Sequence, residues 1–311
     1  PVVYDLQFEL LTASEQIDLD LWLNNYILRR YGKFDETLKQ AWNILLETCY
    51  RCDGYEENRV GSCIASRPQM IPVSAGPCCN DEPFYDTAKF EKAAALFLSV
   101  SDRFRDSDGY QYDLCDLTRQ AMSNRFYNQQ IRFAAAYKKK DISAVEETAK
   151  KQLSLLADLD SLLSHRKELC FSRWINDCHN LAADDQEKRY FDLNARTLLT
   201  SWGDIRSNTS ALYDYAWREW SGLIKEYYYK RWKMFYNRVL FCLKTKMPFF
   251  MINGNGYAGR YWYKSYSFGK KLNKFELSWI RTYSEYPKPS NTDVIAPAKV
   301  CAEKWGFCHE K

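Results

Sequence analysis

Asp18-Leu19-Asp20-Leu21-Trp22-Leu23-Asn24-Asn25-Tyr26-Ile27-Leu28-Arg29-Arg30-Tyr31-Gly32 decides the fold class. Leu19, Trp22, Leu23, Tyr26 and Ile27 recur at i, i+3, i+4, i+7 and i+8, which lines one face of an α-helix. Asp18 stands where a helix N-cap accepts backbone N–H groups, and Gly32 where a helix stops. The pattern repeats outward. Leu38, Ala41, Trp42, Leu45, Leu46 and Cys49 form a second stripe, and Phe90, Ala93, Ala94, Phe97 and Leu98 a third. Asp108-Gly109 reads as a break before a long helix from about Tyr110 to Lys139, and Asp141 as the cap of a helix through Leu163. Trp174 centres the next helix. Asp184 or Asp185, with Glu187, resembles a capping signature before a helix reaching Leu199. A long aromatic helix is expected from about Ala211 to Lys244, and a last substantial one from Leu272 to Tyr283. No run alternates with the period of two that a half-buried strand requires. The expected fold class is all-α, a helical bundle domain.

Three stretches break the periodicity. Residues 50–85 carry Gly54, Gly61, Pro68, Pro72, Gly76, Pro77 and Pro83, and read as a long Cys-rich loop. Trp202 to Ser210 reads as a loop between helices, and residues 291–311 as an irregular tail.

The 311 residues are 46% hydrophobic and 27% charged, an ordinary globular composition that permits one large domain or two small ones. A formal net charge of +4 does not point to nucleic acid. Aromatic content is the outlier at 16%. Aromatics fill large cores and also line sugar sites, because pyranose rings present an apolar C–H face. No run of about 18 apolar residues appears, so no membrane span is expected. Pro1-Val2-Val3-Tyr4 opens directly into an apolar pattern and reads as an internal start, from processing or from a polypeptide in two pieces.

Eleven cysteines are many for a reducing compartment. Cys52, Cys63, Cys301 and Cys308 fall in expected loops and read as disulfide-bonded, whereas Cys115 and Cys242 sit on helical stripes and read as buried thiols. The pair Cys49 and Cys52 has zinc-like spacing, but no second pair or paired histidine follows, so no metal is expected. Gly254, Gly256 and Gly259 fit the spacing of a dinucleotide loop without a preceding strand, and no cofactor is expected. The three histidines, His165, His179 and His309, pair with no Ser or Cys in a nucleophile motif. The basic aromatic run Lys225 to Lys246 has Tyr228, Trp232, Phe235 and Val239 on one helical face, which favours a core helix over a nucleic-acid or membrane surface.

Several segments carry a resemblance. They are Tyr112-Asp113-Leu114-Cys115-Asp116-Leu117-Thr118-Arg119-Gln120, Asn194-Ala195-Arg196 and Thr200-Ser201-Trp202-Gly203. Asp214-Tyr215-Ala216-Trp217-Arg218-Glu219-Trp220-Ser221-Gly222-Leu223 and Tyr227-Tyr228-Tyr229-Lys230-Arg231-Trp232 follow in order. Pro1 to Leu6, Arg29 to Gly32 and Phe268 to Pro287 add to the set. Together they resemble the C-terminal helical domain of the α-N-acetylglucosaminidases, glycoside hydrolase family 89, over most of residues 1–250.

The resemblance implies a domain plan. Residues 1–14 would be the last helix of a (β/α)8 catalytic barrel, 15–290 the helical C-terminal domain, and 291–311 the tail. It also implies an exo-acting, retaining hydrolase, whose two catalytic carboxylates sit about 5–5.5 Å apart. Both glutamates would lie upstream on an N-terminal part, so no catalytic residue is expected in this chain. Trp202 and Tyr215 match positions that reach the sugar pocket, with Leu212 a weaker candidate. Asp214, Arg196 and Arg231 would support them, since buried charges need partners. The implied partners are an N-terminal chain holding the barrel and a glycan with terminal α-linked GlcNAc, such as heparan sulfate. A homo-oligomer stays open. Asn208-Thr209-Ser210 is an N-glycosylation sequon, which suits a lysosomal or secreted protein. The loop from Trp202 to Tyr215 is longer than is usual for the family, Trp217-Arg218 stands where many members have an Asn and a basic residue, and residues 250–266 look like an aromatic insertion. These departures leave an alternative: a non-catalytic structural, interaction or carbohydrate-binding protein derived from the same domain.

Overall fold

The computed structural model describes residues 2–51, 61–72, 82–202, 214, 216–249 and 267–308. The helices are α1 (Val2–Thr12), α2 (Leu19–Tyr31), α3 (Glu36–Glu47), α4 (Thr87–Ser99), α5 (Asp108–Lys138), α6 (Ile142–Leu163), α7 (Phe171–Asn180), α8 (Asp185–Leu199), α9 (Tyr229–Lys244), α10 (Ser267–Ile280) and α11 (Ile295–Trp305). A π-helical turn, Ile224–Tyr228, leads into α9. Among the described residues there is no strand, only an isolated parallel bridge between Cys170 and Ser221. No described helix is long and apolar enough to cross a membrane.

Aspartates start the helices. The carboxylates of Asp18, Asp35, Asp86, Asp141 and Asp184 each accept a backbone N–H from the first turn of α2, α3, α4, α6 and α8. Each such cap is worth about 1 kcal/mol. Glu187 completes a reciprocal arrangement, its carboxylate accepting the Ala183 N–H at 2.8 Å. Gly32 ends α2 at φ 87°, a left-handed conformation that glycine adopts without steric cost.

The chain forms two compact units. One comprises residues 1–51, 85–121 and 293–311. Its core packs Tyr26, Leu38, Trp42, Phe90, Phe97, Phe104 and Tyr110, all buried. A polar chain runs through this core. The Trp42 indole N–H donates to the Tyr31 hydroxyl at 3.0 Å, and Tyr31 donates to the Asp113 carboxylate at 2.7 Å. The Arg30 guanidinium grips the same carboxylate with two N–H groups, Nε on Oδ2 and Nη2 on Oδ1. Burial pushes the Asp113 carboxyl upward, opposed by Arg30 and Tyr31.

The other unit comprises residues 52–84 and 122–292. Leu155, Leu159, Phe171, Tyr228, Trp232, Phe235, Leu272 and Trp279 form its core. The described part of the expected Cys-rich loop, residues 61–72, is irregular yet largely buried. Gln130 anchors it by donating to the carbonyls of Gln69 at 2.6 Å and Met70 at 3.0 Å, and Gln152 donates to Gln130 at 2.9 Å.

Four expectations change. The stretch 291–311 is not an irregular tail, because α11 occupies Ile295–Trp305. Ile295, Ala298, Cys301 and Ala302 form its buried stripe, Pro297 lies in the first turn where its missing N–H costs nothing, and Gly306 ends it at φ 74°. The disulfides expected at Cys63, Cys301 and Cys308 join no two described cysteines, and Cys52 lies outside the described residues. Cys63 and Cys301 are buried in the apolar interior instead. Of the helix expected from Ala211, residues 211–213 and 215 lie outside the described residues, and the described stretch 216–223 is not helix, because the backbone of Ser221 pairs across to Leu169 and Phe171 rather than along the chain; the helical run begins at Ile224. Asp108-Gly109 is not a break but the first turn of α5.

Gly109 is small because of its neighbour. A Cβ built there would lie 2.6 Å from the Arg30 carbonyl oxygen. A helical Gly→Ala change ordinarily stabilises by up to about 1 kcal/mol, the full amount applying to helix interiors. Here overpacking of about 1–3 kcal/mol outweighs that gain. Gly109→Ala should lower the urea midpoint without changing the slope, and an equal or raised midpoint would show the contact to be soft.

Candidate functional site

The candidate site lies in the unit that holds residues 122–292, at the C-terminal end of α8. Trp202 follows that helix and its N–H donates to the Thr197 carbonyl at 2.7 Å. Its φ is +58°, a left-handed conformation that carries strain in a bulky residue. Its side chain is 38% exposed, too open for a core tryptophan. The chain then returns to the same helix end, where the Asp214 N–H donates to the Thr200 carbonyl. Asp214 and Trp217 are also left-handed, at φ +55° and +32°. Three strained non-glycine residues thus fall among the described residues from 202 to 217.

Below them sits a neutral cluster of two guanidiniums and two carboxylates. Arg231 on α9 is fully buried and its Nη1 donates to Asp214 at 2.9 Å and to Glu276 on α10 at 3.1 Å. Its Nη2 donates to the carbonyls of Ala65 at 2.6 Å and Ser66 at 3.2 Å. Its planar face lies over Tyr227, 4.3 Å from the ring centre. Arg67 donates to Asn273 at 2.8 Å and grips Glu276 through Nε and Nη2. Burial pushes the Asp214 carboxyl up to about 6, against the pull of Arg231 and with a further push from Glu276. The second Asp214 oxygen, Oδ1, has no hydrogen-bond partner among the described residues.

The structure brings Asp214 and Arg231 together as an ion pair. Arg196 sits in a different cluster on α8. It donates to Asp192, lies 4.8 Å from the Trp279 ring, and its Nη2 reaches the Tyr286 hydroxyl at 3.3 Å. Tyr286 in turn donates to Glu226 at 2.8 Å. Leu212, Tyr215 and the Asn208 sequon lie outside the described residues. Sequence reasoning missed Glu276 and Arg67. A signal for Glu276 existed: it falls on the helical stripe of Phe268, Leu272 and Trp279, where a charge needs a buried partner. Arg67 sits in irregular chain with no period to betray its burial.

The model of the alpha-N-acetylglucosaminidase C-terminal domain matches residues 22–304. Human alpha-N-acetylglucosaminidase is 26% identical over 305 residues, covering 96% of this chain and 37% of that protein. A Clostridium perfringens family 89 glycoside hydrolase, solved in complex with its substrate GlcNAc-alpha-1,4-galactose, superposes with a TM-score of 0.84 at 30% identity, over 96% of this chain and 33% of that one. The Clostridium perfringens enzyme in complex with PUGNAc gives the same TM-score and identity, over 98% and 33%. The chain therefore spans about a third of the length of these relatives. With its all-helical architecture and a match that runs nearly end to end, the chain belongs to the alpha-N-acetylglucosaminidase C-terminal domain family, of the glycoside hydrolase family 89 type.

Proposed function

We propose that this chain is the C-terminal part of an exo-acting α-N-acetylglucosaminidase, which shapes the sugar pocket while two catalytic glutamates lie on a catalytic barrel outside these residues. The observation that carries the reading is the likeness to a hydrolase bound to a GlcNAc-terminated substrate, combined with an open, strained Trp202 on a rigid support. In this proposal Trp202 is a wall against the sugar ring or its N-acetyl group, Tyr215 gives a hydroxyl or a stacking edge, and Leu212 an apolar contact. Asp214 and Arg231 hold the loop that carries them, and Arg196 holds α8. The helix α1 supports the same reading. Tyr4, Phe8 and Leu11 share a face and are 68%, 71% and 80% exposed, a stripe the barrel would cover. The proposed setting is lysosomal or secreted, with a glycan at Asn208.

Turnover of an aryl α-N-acetylglucosaminide by the full-length protein tests the reading, and inactivity of the assembled protein would overturn it in favour of a non-catalytic descendant. Trp202→Ala should lower kcat/KM by about tenfold, the worth of one aromatic contact of about 1.4 kcal/mol. Its thermal unfolding should barely move, since the side chain is open. A large drop in Tm with unchanged kcat/KM would return Trp202 to the core.

The supporting cluster makes two further predictions. Glu276→Gln leaves two buried guanidiniums facing one carboxylate, and should cost about 3–5 kcal/mol in chemical denaturation. A loss under ~1 kcal/mol would mean the cluster is hydrated and weak. Asp214 has a folded pKa raised to about 6, so its contribution to stability is present at acid pH and is lost as pH rises through that value. Relative to Asp214→Asn, the natural protein should lose stability between about pH 4 and 6. Parallel stability curves for the two across that window would refute the assignment.

A further inference from the structure

The run Lys225 to Lys246 is only half explained by the core. Tyr228, Trp232, Phe235 and Val239 are buried, but Lys225, Lys230 and Lys233 point out, and they converge with Lys288 on one cleft of about 940 Å³. That volume lies at the upper end of the ~300–1,000 Å³ typical of ligand sites, room for several sugar rings rather than one small anion. None of Trp202, Asp214 or Arg231 lines it.

The charges around the cleft are unequal. Two carboxylates face it, Asp160 and Glu226. Asp160 is already engaged by the backbone N–H groups of Gly222 at 2.7 Å and Lys225 at 3.0 Å, and Glu226 by the Tyr286 hydroxyl at 2.8 Å. Lys225 lies within electrostatic reach of Asp160, and none of the four ammonium groups makes an ion pair or hydrogen bond among the described residues. The first turn of α7, which has no side-chain cap, gives Ser172 to the wall and adds the partial positive charge of a helix N-terminus. Between the charges lie apolar ring surfaces, those of Tyr229, Tyr286, Pro287 and Pro289.

Ring faces suit the C–H faces of pyranoses, and an excess of unpaired lysines suits sulfate or carboxylate substituents. We propose that this cleft is a binding site for an anionic oligosaccharide, one bearing sulfate or carboxylate groups along several residues. The site does not depend on the hydrolase reading, because it needs neither turnover nor a GlcNAc terminus.

The test is isothermal titration of the full-length protein with a sulfated tetrasaccharide whose non-reducing end is a uronate, which denies it the sugar pocket. Binding should appear at 50 mM salt and weaken sharply at 300 mM, where exposed charges are screened. The Lys225→Gln/Lys230→Gln/Lys233→Gln/Lys288→Gln variant should bind roughly tenfold more weakly or worse, by the loss of four exposed charge contacts. All four side chains are exposed, so the variant should keep the natural unfolding curve, and Trp202→Ala should bind like the natural protein. Three results would overturn the site: no binding, equal binding of the desulfated and carboxyl-reduced tetrasaccharide, or inorganic sulfate competing at the same concentration as the sugar. Tighter binding of a phosphopeptide than of the tetrasaccharide would also overturn it. Binding without hydrolytic turnover would support the cleft and sink only the hydrolase reading, and turnover without binding the reverse.

Discussion

Burial of the Arg231 guanidinium organises the larger unit. Taking that charge out of water costs several kcal/mol unless well-placed acceptors meet it. Its acceptors come from three separated stretches: Asp214 in the returning loop, Glu276 on α10, and the carbonyls of Ala65 and Ser66 in irregular chain. Two of these stretches are not fixed by local propensity. Residues 61–72 have no helical period, and residue 214 lies outside any helix. The arginine is thus a three-way junction, and the second arginine, Arg67, keeps its charge balanced by sharing Glu276.

That dependence explains which parts of the molecule were legible in sequence. The helices of period 3.6 with an aspartate in front could be read directly, as with Asp18, Asp141 and Asp184, because cap and stripe are local. Residues 216–223 were misread as helix because their aromatic spacing mimics a core stripe. What overrides it is distant: Ser221 gives its backbone bonds to Leu169 and Phe171, and Asp214 gives its carboxylate to Arg231. The helix α11 was missed for the opposite reason, since a proline and a nearby glycine in a short segment look like loop punctuation until their places in the first turn and at the C-cap are known. Motif order singled out Trp202, Asp214 and Arg231 without pairing any of them, and Glu276 went unread although it falls on the stripe of Leu272 and Trp279.

The same distant constraints account for the strain around Trp202. A left-handed non-glycine residue costs about 1–2 kcal/mol. Trp202, Asp214 and Trp217 all adopt that conformation. Such strain persists only where surroundings over-determine it. Here the surroundings are the end of α8, which accepts the Trp202 and Asp214 amides, and the Arg231 cluster, which holds the Asp214 side chain. A tryptophan at a helix end usually packs inward. One held half-open by strained backbone has its orientation set by something other than the hydrophobic effect.

The two surfaces left open differ in chemistry, and the difference argues for different occupants. The α1 face is apolar along Tyr4, Phe8 and Leu11, with nothing charged in that stripe, so only another hydrophobic surface can cover it favourably. The cleft below Lys225 is walled by rings but rimmed by ammonium groups, so a purely apolar occupant would have to strip water from the lysines without giving anything back. A protein core can fill the first, and a charged, ring-bearing ligand the second. Exchanging the occupants would leave either bare apolar area on α1 or uncompensated charge in the cleft, and neither is favourable in water.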